Sequence, residues 1–389
     1  MSVLSVRGTG ALNDFFREHI LEGDLPGAVA MVTGRDEILY QGSFGHCDVA
    51  NKRQMKPSSL FNIASMTKPV TSTVIMMLVD RGLLNLNDPV SKYLKSLKSP
   101  DVLLSLPVAG PVKVAKAHRE VTIRDLLTHT AGFAYGFSNK VYRNLIFKAG
   151  FNYMHLPLLH EPGMRWTYGF STGILGNILR KVTGKPLTIL FKEYVFDPLG
   201  MEDTFYYIPQ DKYRRLVTLH RKVHGVFCEE PRPVYKDQPL NIAGDGGLYS
   251  TAGDYCRFMQ LFLNDGTVHG NRLLSSETVN IMKQNQIGAV NVEIQYSSNK
   301  LISEDFPLGA GKDKFGLGFQ IAMEKRPFRR SVGSLSWAGL YNTHFWIDFQ
   351  KGIGGVLMLQ VLPFYDSACI NLLTGFEELV YSNLMIMHK

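Results

Sequence analysis

Cysteine is scarce in this chain of 389 residues. The four copies are Cys47, Cys228, Cys256 and Cys369. No two of them form a C-x-x-C pair, which excludes a sequence-defined zinc site and a disulfide-dense secreted scaffold. Long apolar runs are also lacking, since the run at 74–79 is far shorter than the roughly 20 residues that span a membrane. Residues 1–20 show no basic segment followed by an apolar one, so no secretory signal is visible. We therefore expect reduced thiols and a cytoplasmic location.

Charge of one sign is not concentrated in this chain. The 42 lysines and arginines exceed the 34 aspartates and glutamates to give a net charge of +8, and 45% of the residues are apolar, which excludes a disordered chain. The densest basic groups, at 212–222 and 325–330, lie in expected loops without a basic stripe and interleaved aromatic residues, so we predict no nucleic-acid partner. His155 and His160 lack a carboxylate in ligand spacing. The sequence therefore implies no metal and no organic cofactor.

Both ends of the chain carry a helix and β-rich segments. Apolar spacing predicts a helix at 11–21, followed by a hairpin of strands at 28–33 and 38–44. Further strands are predicted at 317–323, 331–337, 343–349 and 354–361, and a last helix at 367–385. These elements predict one antiparallel sheet that is built from both ends of the chain and flanked by the terminal helices, an α/β (α+β) fold.

The middle of the chain is predicted to be mainly helical. Thr122 and Asp125 form a capping-box pattern, and helical spacing is clear at 171–182 and 251–263. Polar segments rich in proline and glycine, at 98–120, 207–240 and 286–315, predict loops. We therefore expect a discontinuous α/β domain of residues 1–64 and 263–389, a mainly helical domain of residues 65–262, and an active site between them.

Ser65 and Lys68 carry the strongest chemical signal. They open an apolar helix directly after a β-like segment at 60–63. A serine on the first turn lies near the positive end of the helix dipole, and a lysine three residues later reaches its hydroxyl from the same helix face. Burial favours the neutral form of an amine, and a neutral amine accepts a serine proton, so the pair is suited to acyl transfer. The spacing alone is weak evidence, because Ser297 and Lys300 match it too.

The segment around Ser65 resembles a known family. FNIASMTK, at 61–68, is similar to the first motif of the serine β-lactamase and penicillin-binding-protein superfamily. Within it, the chain resembles the class C β-lactamases and their esterase relatives, the family VIII carboxylesterases. The further similar segments are GLLNLNDPV (82–90), LLTHTAGF (126–133), EPGMRWTY (161–168) and GGLYST with Asp254 (246–254). The resemblance implies a β-lactamase/transpeptidase-like fold and a serine hydrolase of the carboxylesterase type.

The same resemblance implies roles for individual residues. Ser65 matches the nucleophile, Lys68 its partner on the helix, and Tyr168 the tyrosine that begins the second motif and that acts on protons. Gly169 and Phe170 replace the serine and asparagine that follow this tyrosine in β-lactamases, so the amide contact of that asparagine is missing and Phe170 is expected at the substrate-binding position.

The third motif of the superfamily also differs in this chain. Trp337, Ala338 and Gly339 resemble the W-x-G variant of the esterase branch, with an indole in place of the lysine that would bind a substrate carboxylate. The backbone N–H of Leu340, with that of Ser65, is expected to form the oxyanion hole. These differences favour a neutral ester substrate. Trp337 could alternatively be a core aromatic residue on a strand.

Several alternatives remain at this point. Residues 169–173 read G-x-S-x-G, the nucleophile-elbow pattern of α/β-hydrolases, but the preceding PGMRWT is a poor buried strand and makes Ser171 a weak candidate. Within the fold, an acyltransferase of secondary metabolism is the first rival to an esterase, followed by a β-lactamase or D-Ala-D-Ala peptidase. A binding protein without catalysis is a further rival.

Two other features of the sequence lie near the expected cleft. His129 is interpreted as a hydrogen-bonded structural residue and not as a base. An aromatic cluster could overhang the active site or belong to the core of the helical region. Its members are Phe133, Tyr135, Phe137, Tyr142 and Tyr153.

Overall fold

The computed structural model describes residues 2–21, 25–107, 111–148, 156–231, 242–307 and 309–386. The α-helices are α1 (Val6–Leu21), α2 (Thr67–Asp80), α3 (Ile123–Leu127), α4 (Lys140–Lys148), α5 (Ser171–Thr183), α6 (Leu187–Phe191), α7 (Asp197–Leu199), α8 (Ala252–Leu263), α9 (Ser276–Met282) and α10 (Ser367–Ser382). Short 3₁₀ turns occur at Ala64–Met66, Val90–Lys92, Lys95–Leu97 and Gln210–Arg215, and a π-helical turn occurs at Lys192–Phe196. The capping box predicted at Thr122 and Asp125 is confirmed at the start of α3.

The strands form one large sheet and several small ones. They are β1 (Ser2–Leu4), β2 (Gly27–Thr33), β3 (Ile38–Asp48), β4 (Arg53–Gln54), β5 (Phe61–Asn62), β6 (Asp101–Ser105), β7 (Lys113–Lys116), β8 (His220–Val223), β9 (Val226–Glu229), β10 (Tyr249–Ser250), β11 (Thr267–Val268), β12 (Asn271–Arg272), β13 (Lys314–Phe315), β14 (Gln320–Ile321), β15 (Leu335–Gly339), β16 (Thr343–Asp348), β17 (Ile353–Met358), β18 (Val361–Leu362) and β19 (Leu384–Ile386). Within the described residues, the large sheet has eight antiparallel strands in the order β13-β14-β15-β16-β17-β2-β3-β4. The predicted sheet from both ends of the chain is confirmed.

Helices cover both faces of this sheet, which explains why β2 is buried throughout. Successive side chains of a strand point to opposite faces. Ala30 and Val32 accordingly belong to the apolar cluster formed with α1 and α10, whereas Met31 belongs to the larger cluster that includes α8. Because β2 is buried on both of its faces, α8 lies against the face of the sheet that carries Met31. The division into domains at 64/65 and 262/263 stays a prediction.

The predicted loops and the end of the last helix differ from the structure. The expected loop at 98–120 contains the hairpin β6–β7, and that at 207–240 contains the hairpin β8–β9. The last helix ends at Ser382, and β19 then pairs with β1. Alternation of apolar and polar residues indicates a strand only where one face of that strand is buried. Because β7 is exposed along its whole length, its sequence carries no such signal.

The edge of the sheet at β15 positions the site. β14 pairs with Leu335 and Ser336, and the second half of β15 runs past the 3₁₀ turn Ala64–Met66 instead. A Cβ atom added to Gly339 would lie 2.3 Å from the carbonyl oxygen of Ile63. Only glycine therefore allows this strand to approach the turn that carries Ser65.

A buried ion pair joins α10 to the segment before β15. Glu377 is 2% exposed, and both its oxygens accept hydrogen bonds from the guanidinium of Arg330, with Arg329 as a further donor. Burial opposes ionisation of Glu377, but the charge and hydrogen bonds of Arg330 and the charge of Arg329 outweigh burial and lower its pKa to about 2. The carboxylate therefore stabilises the folded state wherever it is ionised.

We expect Glu377→Gln to lower the free energy of unfolding at pH 7 by about 3–5 kcal/mol, because two guanidinium groups lose a buried partner. The folded pKa lies below the unfolded one, so this stabilisation is present above about pH 4.5 and is lost as the pH falls towards 2. Urea unfolding at pH 7 and pH 3 measures both effects. Glu378→Gln is the matched control, since Glu378 is half-exposed and contacts only Arg329 among the ion pairs of the described residues. Equal stability of the two variants at pH 7 would contradict this account.

Candidate active site

Ser65 lies on a strained turn that presents its hydroxyl. The 3₁₀ turn Ala64–Met66 leads directly into α2, and Ala64 has a φ of 41°, in the left-handed region that alanine rarely adopts. The Asn62 side chain accepts a hydrogen bond from the backbone N–H of Ala64 at 2.9 Å and so holds the turn. Ser65 is half-buried, whereas the following residues of α2 are buried. The backbone thus brings one hydroxyl to the edge of an otherwise closed core.

Lys68 lies one turn further along, as the spacing predicts. Its Nζ donates to Ser65 Oγ at 3.0 Å and to the backbone oxygen of Asp245 at 2.7 Å, and the residue is 2% exposed. The ring centroids of Tyr135 and Tyr168 lie 5.1 and 4.9 Å from Nζ. The amine is therefore enclosed by one hydroxyl, one carbonyl and two aromatic rings.

Tyr168 completes the arrangement around the nucleophile. Its OH donates to Ser65 Oγ at 2.7 Å across 103 residues of sequence. The residue is buried just before α5, and the preceding N–H, that of Thr167, donates to the carbonyl oxygen of His129 at 2.8 Å. One oxygen thus has an amine and a phenol within hydrogen-bond distance. Such a constellation can remove a proton from a serine and return it to a leaving group.

Strand pairing explains how Asp245 reaches this site. β5 pairs with β10, and the N–H of Ile63 donates to the carbonyl oxygen of Leu248 at 2.9 Å. The segment before β10 is therefore held against the start of α2, which brings the carbonyl of Asp245 to Lys68. The carboxylate of Asp245 accepts a hydrogen bond from the Tyr135 hydroxyl.

A mainly apolar cavity opens beside Ser65. Its lining residues are Ser65, Phe137, Ser138, Tyr168, Gln295, Ser303, Phe306, Trp337, Ala338, Gly339, Leu340 and Phe364. None of these described residues carries a charged side chain. Trp337 lies on β15 with its ring centroid 5.0 Å from that of Tyr168, so it is both a strand core residue and a wall of the cavity.

His129 forms part of the wall behind the tyrosine. Its ring is stacked against Trp337 and meets Tyr168 edge-on at 5.1 Å. Burial, and then the nearby charge of Lys68, lower the pKa of His129 well below its usual value. The place of His129 is consistent with the prediction of a structural residue near the cleft, and its Nδ1 has no hydrogen-bond partner among the described residues. A neutral imidazole is the form that this position favours.

Two residues singled out in the sequence do not meet the cavity. Phe170 packs against Phe133 at 5.0 Å between ring centroids and is not among the residues that line the cavity. Ser171 is fully buried as the first residue of α5, and its hydroxyl has no partner among the described residues. A substrate therefore cannot reach Ser171, which excludes the nucleophile-elbow interpretation.

Some members of the aromatic cluster lie at the active site and others lie in the core. Phe137 lines the cavity and Tyr135 lies against Lys68, whereas Phe133 and Tyr142 are buried in the core. Tyr153 lies outside the described residues. The sequence reasoning did not identify Asp245. The signal that could have found it is its place directly before the GGLYST segment, one residue outside the matched motif.

The described part of the chain contains no cluster of three or more histidine, cysteine, aspartate or glutamate residues that could hold a metal ion. No described helix combines the length and the apolar character needed to cross a bilayer.

Comparison with known proteins identifies related chains. The model of the family described as Beta-lactamase matches residues 12–373. Protein Rv1367c of Mycobacterium tuberculosis is 36% identical over 89% of this chain and 88% of its own length. Monacolin J acid methylbutanoyltransferase of Aspergillus terreus is 27% identical over 94% of each chain, and Esterase EstB of Burkholderia gladioli is 26% identical over 95% and 94%.

Among solved structures, a mutant of simvastatin synthase from Aspergillus terreus has a TM-score of 0.84, covers 97% of this chain and 98% of its own, and is 24% identical. This likeness shows a shared β-lactamase/transpeptidase-like fold, as the sequence predicts.

Proposed function

This chain belongs to the beta-lactamase family, and we propose that it is a serine esterase that hydrolyses neutral carboxylic esters through an acyl-enzyme on Ser65. The observation that carries the proposal is the arrangement at Ser65 Oγ, with Lys68 Nζ at 3.0 Å and Tyr168 OH at 2.7 Å. An isolated serine hydroxyl is a weak nucleophile, and an adjacent base is what activates it.

The reaction follows from this geometry in two stages. As Ser65 Oγ attacks the ester carbonyl, its proton passes into the Lys68–Tyr168 pair, and the carbonyl oxygen becomes an oxyanion that the N–H groups of Ser65 and Leu340 stabilise. The carbon–oxygen bond of the alcohol then breaks, and the pair returns the proton to the departing alkoxide. In the second stage, water attacks the carbonyl of the acyl-serine and loses a proton to the same pair. The bond between this carbonyl carbon and Ser65 Oγ then breaks, the pair returns the proton to Oγ, and the acid is released.

The cavity supports a neutral and largely apolar substrate. Trp337 presents an indole wall where a lysine would pair with a substrate carboxylate, and Phe137, Phe306 and Phe364 complete an apolar lining. An anionic β-lactam would lose its hydration shell there without gaining a cationic partner. The family's penicillin-recognising reactions are therefore less well supported than ester cleavage.

Acyl transfer to an alcohol is the second candidate function. The mainly apolar lining of the cavity suits the alkyl chain of an alcohol acceptor better than it suits water, and one relative that aligns along nearly its whole length is named a methylbutanoyltransferase. Hydrolysis and transfer share the first stage and differ only in which hydroxyl resolves the acyl-enzyme.

The test is turnover of p-nitrophenyl butyrate with and without 1-propanol. We expect kcat/KM for this ester to exceed that for nitrocefin by at least about 10- to 100-fold, the effect of one missing hydrogen bond to a charged group. Butyrate as the main product supports the esterase, whereas propyl butyrate as the main product at low propanol supports the transferase. Preferential turnover of nitrocefin would overturn the proposed substrate class.

A further inference from the structure

Lys68 is held by a cluster that extends beyond the three residues at the nucleophile. Its amine donates to the carbonyl oxygen of Asp245 and lies over the ring of Tyr135 at 5.1 Å. The carboxylate of the same Asp245 accepts a hydrogen bond from the Tyr135 hydroxyl. Tyr135 and Asp245 are therefore joined to each other and, separately, to the amine.

We propose that Tyr135 and Asp245 are positioning residues that fix the Lys68 amine against Ser65 Oγ, an inference that rests on the proposed function of Ser65. A lysine side chain has four rotatable carbon–carbon bonds and adopts one place only where its surroundings restrict it. The Tyr135 ring closes one side of the amine, and the Asp245 carbonyl accepts a hydrogen bond from it. The direction that remains open to the Lys68 amine is the one towards Ser65 Oγ.

The carboxylate of Asp245 acts on Lys68 through the ring of Tyr135. A phenol that donates its hydrogen bond to a carboxylate carries more electron density on its ring, and an electron-rich ring attracts an ammonium group more strongly. The same hydrogen bond prevents the ring from rotating away from the amine. Aspartate thus contributes to the position of Lys68 with both its backbone and its side chain.

The backbone around Asp245 is fixed independently of this carboxylate. The hydroxyl of Thr71 on α2 donates to the carbonyl oxygen of Gly244, and the N–H of Leu248 donates to the hydroxyl of Thr67 at 3.3 Å. Tyr206 donates to the carbonyl oxygen of Ala243 at 3.0 Å. Removing the Asp245 carboxylate therefore leaves its carbonyl beside Lys68, and side-chain substitutions test the Tyr135 link alone.

The experiment measures kcat and KM for p-nitrophenyl butyrate in Tyr135→Leu, Tyr135→Phe, Asp245→Ala and Asp245→Asn. We expect kcat to fall about 10- to 100-fold in Tyr135→Leu with KM within about twofold, because a small misplacement of a catalytic group costs up to that much. Tyr135→Phe keeps the ring and is expected to lose less. Asp245→Asn keeps an acceptor for the Tyr135 hydroxyl and is expected to recover most of the activity that Asp245→Ala loses.

Tyr206→Phe is the matched control, since it also removes a phenol hydrogen bond from the Asp245 segment but does not contact Lys68 in the described residues. We expect its kcat to stay within about twofold of wild type. Three results would overturn the proposal: an unchanged kcat in Tyr135→Leu, a loss confined to KM, or an equal loss in Tyr206→Phe. If Tyr135→Leu does not fold, the proposal is tested by kcat in Tyr135→Phe and Asp245→Ala, and an unchanged kcat in both variants would overturn it.

Labelling of Ser65 by a fluorophosphonate separates this proposal from the proposed function. If the positioning role is correct, the rate of labelling falls in parallel with kcat in the Tyr135 variants. If wild-type turnover does not depend on Ser65 at all, the proposed function fails, and that result does not depend on any Tyr135 variant.

Discussion

Replacing Ser65 by alanine is expected to lower kcat for p-nitrophenyl butyrate on the order of 10⁴- to 10⁶-fold, since loss of the nucleophile in serine hydrolases has effects of that size. Both stages of the proposed reaction pass through Ser65 Oγ. Without this oxygen no acyl-enzyme can form, so Lys68 and Tyr168 have no covalent intermediate on which to act. Initial rates of nitrophenol release give the loss of activity, and the mass of the intact protein after mixing with the ester shows whether an acyl adduct forms.

Ser171→Ala is the control for this experiment. Ser171 occupies the centre of the G-x-S-x-G pattern at 169–173, yet it is fully buried on α5 with an unpartnered hydroxyl in the described part of the chain. Removing a buried hydroxyl without a partner costs little or stabilises the fold, so we expect activity within about twofold of wild type. Turnover that survives in Ser65→Ala and is lost in Ser171→Ala would reverse the assignment.

The contrast between Lys68 and Tyr168 explains how much of the site could be predicted from the sequence. Lys68 meets Ser65 because residues three apart on a helix share a face, which is a local rule. Tyr168 lies 103 residues from Ser65, and no local rule joins them. Its role was implied only by the resemblance to a family whose fold brings two residues so far apart in sequence into contact.

The contacts of Tyr135 and Asp245 with Lys68 were not predicted from the sequence. The contact of Lys68 with the Asp245 carbonyl spans 177 residues and uses a backbone oxygen, for which the amino-acid type carries no signal. Tyr135 belongs to a segment in which aromatic residues serve the cavity, the core and the lysine in turn. Composition alone does not separate those uses, because each of them favours a large ring.

The sequence predicted the helices and strands whose buried faces place apolar residues at a regular spacing. Strands β2 and β16 and helices α1 and α10 pack on one another, and their apolar residues follow the packing. The exposed strand β7 and the terminal strand β19 are held by backbone hydrogen bonds to a neighbouring strand, which any side chain permits. The sequence therefore indicated the layers of the fold and missed its small peripheral sheets.

Replacing Tyr168 by phenylalanine is expected to lower kcat/KM for p-nitrophenyl butyrate about 10³-fold, within the range of 10² to 10⁴ that positioned proton transfer contributes. The substitution keeps the ring that packs on Trp337 and Lys68 and removes only the hydroxyl at 2.7 Å from Ser65 Oγ. Substrate binding in the apolar cavity is therefore expected to change little. Initial rates over a range of ester concentrations measure the effect on kcat and on KM separately.

Tyr142→Phe is the matched control, because Tyr142 is also buried and its hydroxyl donates to the backbone oxygen of Pro157 and not to Ser65. It is expected to cost stability, about 1 kcal/mol for one hydrogen bond, and to leave kcat/KM within about twofold. A Tyr168→Phe variant as active as Tyr142→Phe would show that Lys68 alone manages the serine proton. If instead Tyr168→Phe and Lys68→Met each lose most of the activity and the double variant loses little more, the two groups act as one unit on Ser65 Oγ, as the shared oxygen in their geometry implies.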